Sequence, residues 1–491
     1  MFHDCPLLSD ESIETLLRVS VPIIPISSLT FSLCPKFSNE VCQIISSYAH
    51  SFNLKKLHFM SCRNIGDKGV ESLVTRSAKF GNLSFSSLTF SKCPSMTEKG
   101  FIAIINKFDR SLSSIDFSSD CEEFVGITDK VLLVLADKYS SSSTILKKID
   151  FSGSNHISDV GVQAIASKVC NARKSSSLRE LYLSHCPKLT ANSIHSFCKI
   201  PVLYGMKRNE NLRNLMVLYL EGNKNLTMQC LCWIAKACPK LVELNLKECH
   251  FMSSKQKIGD QISQWKNSIA AEIESRDSEI AIKHLSSLSY LRVLDLNGCV
   301  GLFVNNNIVC TYLSECIAFT GKDGKEENSM SFLGLEYFDL SGVCVLRDTN
   351  VDDIVKLNPS LNHFAISSSP YITDQSINSI VTNLKSLKFA AFSNLLSMTD
   401  YAIEAISKLC FRYLLELNIS RNEQLNSKSM QNLDRMRLLA KLDISYCSQL
   451  NDLALKWLPR ASLEQLYWLM GYCNCQIQVL NIFANNIQNF V

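Results

Sequence analysis

One pattern recurs along the chain and restricts it more than any other property: L-x-x-L-x-L-x-x-C-x-x-I-[ST]-D-x-x-L-x-x-L. It is clearest in residues 54–73 (LKKLHFMSCRNIGDKGVESL) and 146–165 (LKKIDFSGSNHISDVGVQAI). The middle apolar residue of the first half, Leu57 in the first example, serves as a marker. The series runs Leu29, Leu57, Leu88, Ile115, Ile149, Leu181, Leu218, Leu244, Leu294, Phe338, Phe364, Ala390, Leu417, Leu442 and Leu480. Most steps are about 25 to 34 residues, the length of one repeated supersecondary unit.

The alternation L-x-L has period 2 and predicts a short strand with its apolar side chains inward and the intervening residues on the opposite face. Eight residues after the marker comes another apolar anchor (Ile65, Met96, Ile157, Leu189, Leu226, Ile372, Met398), followed by Thr, Ser or Asp at the N-cap, as in Thr373-Asp374 and Thr399-Asp400. A helix follows. Its apolar residues fall five and eight positions past the anchor (Val70 and Leu73, Ile377 and Ile380, Ile403 and Ile406), one stripe of an amphipathic helix. A single strand-helix unit cannot bury this stripe alone, so neighbours must stack. The expected fold is an α/β solenoid of about fifteen repeats spanning 1–491, curved, with parallel strands on the concave face and helices on the convex face.

Five residues after the marker stands cysteine at Cys34, Cys62, Cys93, Cys186, Cys249, Cys299 and Cys447, and asparagine at Asn223, Asn422 and Asn485. Where the chain leaves a strand, a small side chain with a donor fits a crowded interior and bonds a turn carbonyl, which makes these cysteines structural. Metal binding needs converging ligands, whereas these thiols are a repeat apart, and Cys230/Cys232/Cys238 and Cys473/Cys475 lack zinc spacing. Twenty-one cysteines in a long chain whose first residues, MFHDCPLLSDESIETLL, show no basic segment and apolar signal core predict reduced thiols and a cytoplasmic protein, with the nucleus as the alternative. The apolar stretch VSVPIIPI is short and broken by Pro22 and Pro25, so no membrane span is expected. A net charge of +4, from 50 Lys and Arg against 46 Asp and Glu, lacks the clustered basic excess that nucleic acid demands.

These residues resemble the cysteine-containing leucine-rich repeats of F-box substrate-recognition subunits of cullin-RING ubiquitin ligases, and of related repeat-only regulators of mitotic exit. The resemblance covers nearly the whole chain and rests on cysteine and I-[ST]-D recurring in register. It implies protein binding in ubiquitin-dependent protein catabolism, as part of an SCF-type complex; the alternative is a repeat-only scaffold with no ligase association. No F-box precedes the first repeat: Cys5, Leu8, Ile13 and Leu16 already match repeat positions, so 1–22 reads as a partial repeat beginning inside a strand. The expectation drawn from this is a sequence truncated relative to the expressed protein, whose missing region would contact a ligase adaptor; the alternative is an exposed repeat end shielded by a partner.

For a partner on the concave face, the central row comprises Thr30, His58, Thr89, Asp116, Asp150, Tyr182, Tyr219, Asn245, Asp295, Asp339, Ala365, Ala391, Asn418 and Asp443. Tyr182 and Tyr219, flanked by Glu180, Glu221, Glu243 and Lys247, form an aromatic anchor in a charged rim. Asn245, Asp295 and Asp339 extend the site, and Asp116, Asp150, Asp295 and Asp339 favour a basic peptide. Two insertions lie nearby: 253–287, where Ile258, Ile262, Trp265, Ile269 and Ile273 line one helical face, and a polar loop at 318–334. Residues 463–491 read as a C-terminal helix and a last repeat or cap. No H-E-x-x-H, G-x-S-x-G or phosphate-loop motif occurs, so neither an enzyme nor a cofactor is expected.

Overall fold

The computed structural model describes residues 1–20, 26–79, 84–119, 126–141, 146–168, 178–198, 212–249, 285, 288–299, 334–343, 346–410, 412–459, 462–467 and 479–481. A strand forms around every marker: β1 (Phe2–His3), β2 (Ser28–Ser32), β3 (Lys56–Met60), β4 (Ser87–Ser91), β5 (Ser114–Asp116), β6 (Lys148–Asp150), β7 (Glu180–Tyr182), β8 (Val217–Tyr219), β9 (Glu243–Asn245), β10 (Val293–Asp295), β11 (Tyr337–Asp339), β12 (His363–Ala365), β13 (Phe389–Ala391), β14 (Glu416–Asn418), β15 (Lys441–Asp443), β16 (Gln465–Tyr467) and β17 (Val479–Asn481). Contacts group the chain into two compact units, 1–241 and 242–491. In the first, β1 to β8 pair successively in parallel, with marker opposite marker from Leu29 and Leu57 to Leu181 and Leu218. In the second, β9 to β16 do the same from Leu244 and Leu294 to Leu442 and Leu466.

The carboxyl end corrects the marker series. A strand, not the start of a helix, occupies 465–467, and Leu466 takes the marker position after Leu442. Leu463 and Leu466 are both buried, with the spacing of Leu54 and Leu57, and Glu464 and Gln465 donate to the Ala440 carbonyl as the starts of β3 to β8 and β10 to β15 do to their neighbours. Leu480 lies in β17, which runs antiparallel to β16 and so does not extend the parallel stack. Residues 468–478 and 482–491, Asn485 among them, lie outside the described residues. So do the two insertions, 253–287 and 318–334, apart from Leu285 and Gly334.

The core of each unit lies between strands and helices. Marker residues from Leu29 to Leu466 and those two positions later from Phe31 to Ile444 are buried, and in the first unit the latter continue from half-buried Phe2 as a column of rings: Phe2, Phe31, Phe59 and Phe90, with centroids 5.4, 5.5 and 5.6 Å apart. Burial of one such side chain stabilises by roughly 2–3 kcal/mol. The predicted helix stripe is also buried, as at Val70, Leu73, Ile377, Ile380, Ile403 and Ile406.

Four residues after the marker the backbone turns left-handed, at Leu33, Ser61, Lys92, His185, Glu248, Ser368, Asn394, Arg421 and Tyr446, and at Gly153, Gly222, Gly298 and Gly342. The turn aims that residue's N–H at the next repeat, as in Ser61 to the Ser91 carbonyl (2.9 Å). L-residues pay a conformational cost there. At Gly153 glycine is required, since a Cβ would stand 1.8 Å from the Ser119 carbonyl oxygen.

The next position holds the repeat cysteines. Cys62, Cys93, Cys186, Cys299 and Cys447 donate their thiols to the preceding repeat's carbonyls at Phe31, Phe59, Phe151, Leu246 and Ile419. Cys34 donates to the Ser32 carbonyl, and Cys249 is fully buried. Asparagine does the same and more. Asn223 donates to the Leu183 and Leu220 carbonyls and accepts from Cys186 N–H, and Asn422 repeats this with Phe392, Ile419 and Leu395. Serine does not make this bond: Ser154 and Ser369 are buried with hydroxyls that have no hydrogen-bond partner.

The I-[ST]-D signature has a division of labour. Thr373 and Thr399 are the N-caps, accepting from Gln375 and Tyr401 N–H, while Asp374 and Asp400 are the first helical residues. Those aspartates bond forward to the next repeat's cap. Asp374 accepts from Thr399 N–H (2.8 Å) and Oγ1 (2.5 Å), and Asp348 treats Thr373 alike. In the first unit the clamp runs unbroken: Asp10 to Ser38, Asn39 to Gly66, Asp67 to Thr97, Glu98 to Thr128, Asp129 to Ser158, Asp159 to Thr190. It stops at Ala191, which stands where aspartate would be, and Thr227 beyond it makes no side-chain cap bond.

Candidate functional site

The residues on the strand face follow from register. In the first unit Asp116, Asp150, Tyr182 and Tyr219 lie opposite one another on β5 to β8. Tyr182 and Tyr219 meet edge to face at 4.9 Å, half-buried, and the Tyr182 hydroxyl lies 3.1 Å from a Glu180 oxygen. Lys148 completes the group, which the sequence reading missed: its ammonium sits 4.6 Å from the Tyr182 ring centre and 3.3 Å from Glu180. Lys148 is two residues before Asp150, so strand periodicity was the available signal. Glu221 turns to His185, at 3.7 Å.

In the second unit Asn245, Asp295 and Asp339 share one row on β9 to β11, with Glu243 in the row beside it. The Lys247 ammonium lies 3.8 Å from Glu248. Asp295 and Asp339 are buried, 8% and 7% exposed, so little of either carboxylate is open to water. One oxygen accepts the N–H two residues on: Asn297 to Asp295 (3.0 Å), Ser341 to Asp339 (2.7 Å). The same bond forms at Asp116, Asp150, Asn245, Asn418 and Asp443. These side chains hold the end of each strand, a local acceptor role typical of Asp and Asn.

Burial, and Asp116 beside it, raise the Asp150 carboxyl to about 6. Burial lowers the His58 imidazole, which bonds Thr89 at 2.6 Å. Burial also raises the thiols, Cys62 and Cys447 to about 11, Cys93 and Cys186 to about 12, so they are protonated and poor nucleophiles. All fourteen described cysteines are free, and among the described residues no group of His, Cys, Asp and Glu could hold a metal.

A second group escaped the sequence reading. Tyr337, His363 and Phe389, each just before its marker on β11 to β13, stack face to face with centroids 3.8 Å apart at both steps. They line up in register on the solvent side of the sheet. The aromatic run Tyr337, His363, Phe389 at steps of one repeat was its signal.

Residues 50–74 and 142–166 match the family model described as Leucine Rich repeat. The fold is an α/β leucine-rich-repeat solenoid. No curated protein sequence matches significantly. Among solved structures, the Rad7 and Elc1 complex in yeast is similar over 94% of this chain and 83% of its own, at 13% identity and TM-score 0.41. An internalin (inlF) from Listeria monocytogenes is similar over 91% and 93%, at 13% identity and TM-score 0.39. A TLR13–ssRNA13 complex is similar over 93% and 62%, at 12% identity and TM-score 0.43. Likeness at this level carries neither ligand nor mechanism across. Leucine-rich repeats are protein-interaction modules, and no helix among the described residues is long and apolar enough to cross a membrane.

Proposed function

We propose that the chain recognises a protein partner on its strand faces, with Tyr182 and Tyr219 as the anchor in the first unit. The observation that carries this is the edge-to-face tyrosine pair on the solvent side of β7 and β8, ringed by Glu180, Lys148 and Asp150. Half-buried aromatics among charges are the usual composition of an interface hot spot. Glu221 belongs to the same reading as a flanking contact; in the second unit Glu243, Asn245, Lys247, Asp295 and Asp339 are proposed as contacts on that unit's own strand face.

The finer reading is substrate recognition in an SCF-type ubiquitin ligase. It is supported by the repeat signature, cysteine and I-[ST]-D in register, which resembles that of F-box subunits. The alternative, a repeat-only scaffold, shares the binding face and needs no ligase. Affinity purification of the tagged chain from its native cells tests both steps. Tyr182→Ala/Tyr219→Ala is expected to reduce recovery of the main protein partner at least tenfold while the thermal transition stays within a few degrees. Recovery unchanged by the double substitution would remove this anchor. Recovery of a cullin adaptor supports the ligase reading, and a stable complex without one favours the scaffold.

A further inference from the structure

Two neighbouring rows on the second unit change character on the same strands. The row just before the markers is mostly polar or aliphatic elsewhere (Lys56, Ser87, Lys148, Glu180, Val217, Glu243, Val293, Glu416, Lys441), but on β11 to β13 it holds the stacked rings of Tyr337, His363 and Phe389. The row just after the markers holds Thr, His, Asp, Tyr or Asn elsewhere, but Ala365 and Ala391 on β12 and β13. Side chains two residues apart on a strand share a face about 7 Å apart. A ridge of three rings therefore runs beside a floor of two methyl groups. The rings stay half-buried on the solvent side, whereas Ala365 and Ala391 are buried beside them, 2% and 8% exposed; the markers Phe338, Phe364 and Ala390 lie on the other side. The imidazole between the two rings is lowered to about 4 by burial and is uncharged at neutral pH.

Acidic groups bound this apolar strip at both ends. Toward β10 stand Asp295 and Asp339, and toward β14 and β15 stand Glu416 and Asp443. Arg292 is taken up by Glu336 at 3.1 Å and Lys441 by Glu416 at 2.8 Å. Asp339 and Asp443 accept from neutral donors, Asn297 and Ser341 for the first and Ser445 for the second. Negative charge is thus left over at each end, and its field reaches beyond the little carboxylate surface that is open.

Resting on the reading that this chain binds proteins through its strand faces, we propose that β11 to β15 dock a partner segment carrying an apolar side chain flanked by basic residues. The half-buried rings receive the apolar group; Asp339 and Asp443 attract the basic flanks. An acidic segment would be repelled at both ends, and a nucleic acid would meet carboxylates where its phosphates need cations.

The test uses the full chain and fluorescence anisotropy with a labelled peptide, Lys-Arg-Ala-Leu-Ala-Arg-Lys. Its controls are the peptide with Glu at every basic position, the peptide with Ser for Leu, and a single-stranded oligonucleotide. Asp339→Asn/Asp443→Asn removes charge but keeps the acceptor, since Asn245 and Asn418 already make the same turn bond. This double variant is expected to weaken the basic peptide at least tenfold, and His363→Ala about fivefold, both with an unchanged circular dichroism spectrum. Loss of the leucine should cost a similar factor. No binding of the basic peptide, equal binding of the acidic peptide or oligonucleotide, or binding indifferent to these substitutions would overturn the proposal. If the peptide is instead released by Tyr182→Ala/Tyr219→Ala, docking belongs to the first unit: this proposal falls and the protein-binding reading stands.

Discussion

At the scale of single residues, the interchange of Asp and Asn in the central row separates structure from charge. Asn245 and Asn418 hold the N–H two residues ahead as well as Asp116, Asp150, Asp295, Asp339 and Asp443 do, so the turn needs an acceptor and not an anion. Where two anions meet, the charge is costly. Asp150 lies opposite Asp116 in register, and its carboxyl is raised from an ordinary 3.8 to about 6, by burial first and Asp116 second. A raised folded value means that the folded state holds a proton the unfolded state gives up. The stabilisation is complete below pH 3.8 and lost as pH rises through 6. Asp150→Asn, which keeps the Ser152 bond, is therefore expected to stabilise at pH 7 by on the order of 2 kcal/mol, with the gain fading toward pH 4. Denaturant melts at the two pH values check this, and an equal increment at both would sink the explanation.

At the scale of elements, the clamp between successive helix starts was hidden in a motif that the sequence displays openly. Thr373 and Asp374 look like alternative caps because both suit an N-terminus, yet Asp374 accepts from Thr399 and Thr373 donates to Asp348. The acceptor's partner lies a whole repeat away, so no local rule assigns it. The strands were easier: one buried side chain at the marker and another two residues on fix the period, and β2 to β15 fall on the predicted markers in register. Leu466 escaped because its step from Leu442 is short and Leu480 offered a similar pattern further on. Tyr337, His363 and Phe389 escaped because their stacking depends on register between residues a whole repeat apart, which no local pattern displays. Asp374→Ala removes a carboxylate that serves both hydrogen bonds of the Thr399 cap, and charge-assisted bonds are each worth about 1.5–3 kcal/mol. A loss of about 2 kcal/mol is expected in equilibrium unfolding of the second unit. Asp374→Asn, which keeps an acceptor, should lose less than half of that; equal losses from the two would show that the clamp depends on charge alone.

At the scale of the whole molecule, stability in a repeat array is a sum over nearest-neighbour interfaces, so an interface that lacks its clamp is a local minimum. In the first unit the helix-start clamp runs from Asp10 through Thr190 and ends at Ala191, while among the described residues of the second it runs from Asp348 and reaches Asn426 from Asp400. The helix beginning at Ala191 still faces the helix beginning at Met228, and the Thr227 hydroxyl, which no aspartate engages, lies 3.7 Å from Cys230 Sγ. Ala191→Asp places a carboxylate where Asp159 stands one repeat earlier, within reach of Thr227 N–H and Oγ1 by the same geometry. It also puts an anion in the first turn of a helix that has no acidic residue there, itself worth about 0.3–1 kcal/mol. The substitution is expected to stabilise the first unit by about 1–2 kcal/mol. Because interfaces couple to their neighbours first, slowed amide exchange should concentrate in residues 178–198 and 212–241, with residues 28–60 changing little. Thr227→Val in the Ala191→Asp background should remove most of the gain, since the bond to Oγ1 is then gone. A gain that survives Thr227→Val in full would assign the effect to the helix dipole, and slowed exchange spread evenly over the unit would contradict the nearest-neighbour account.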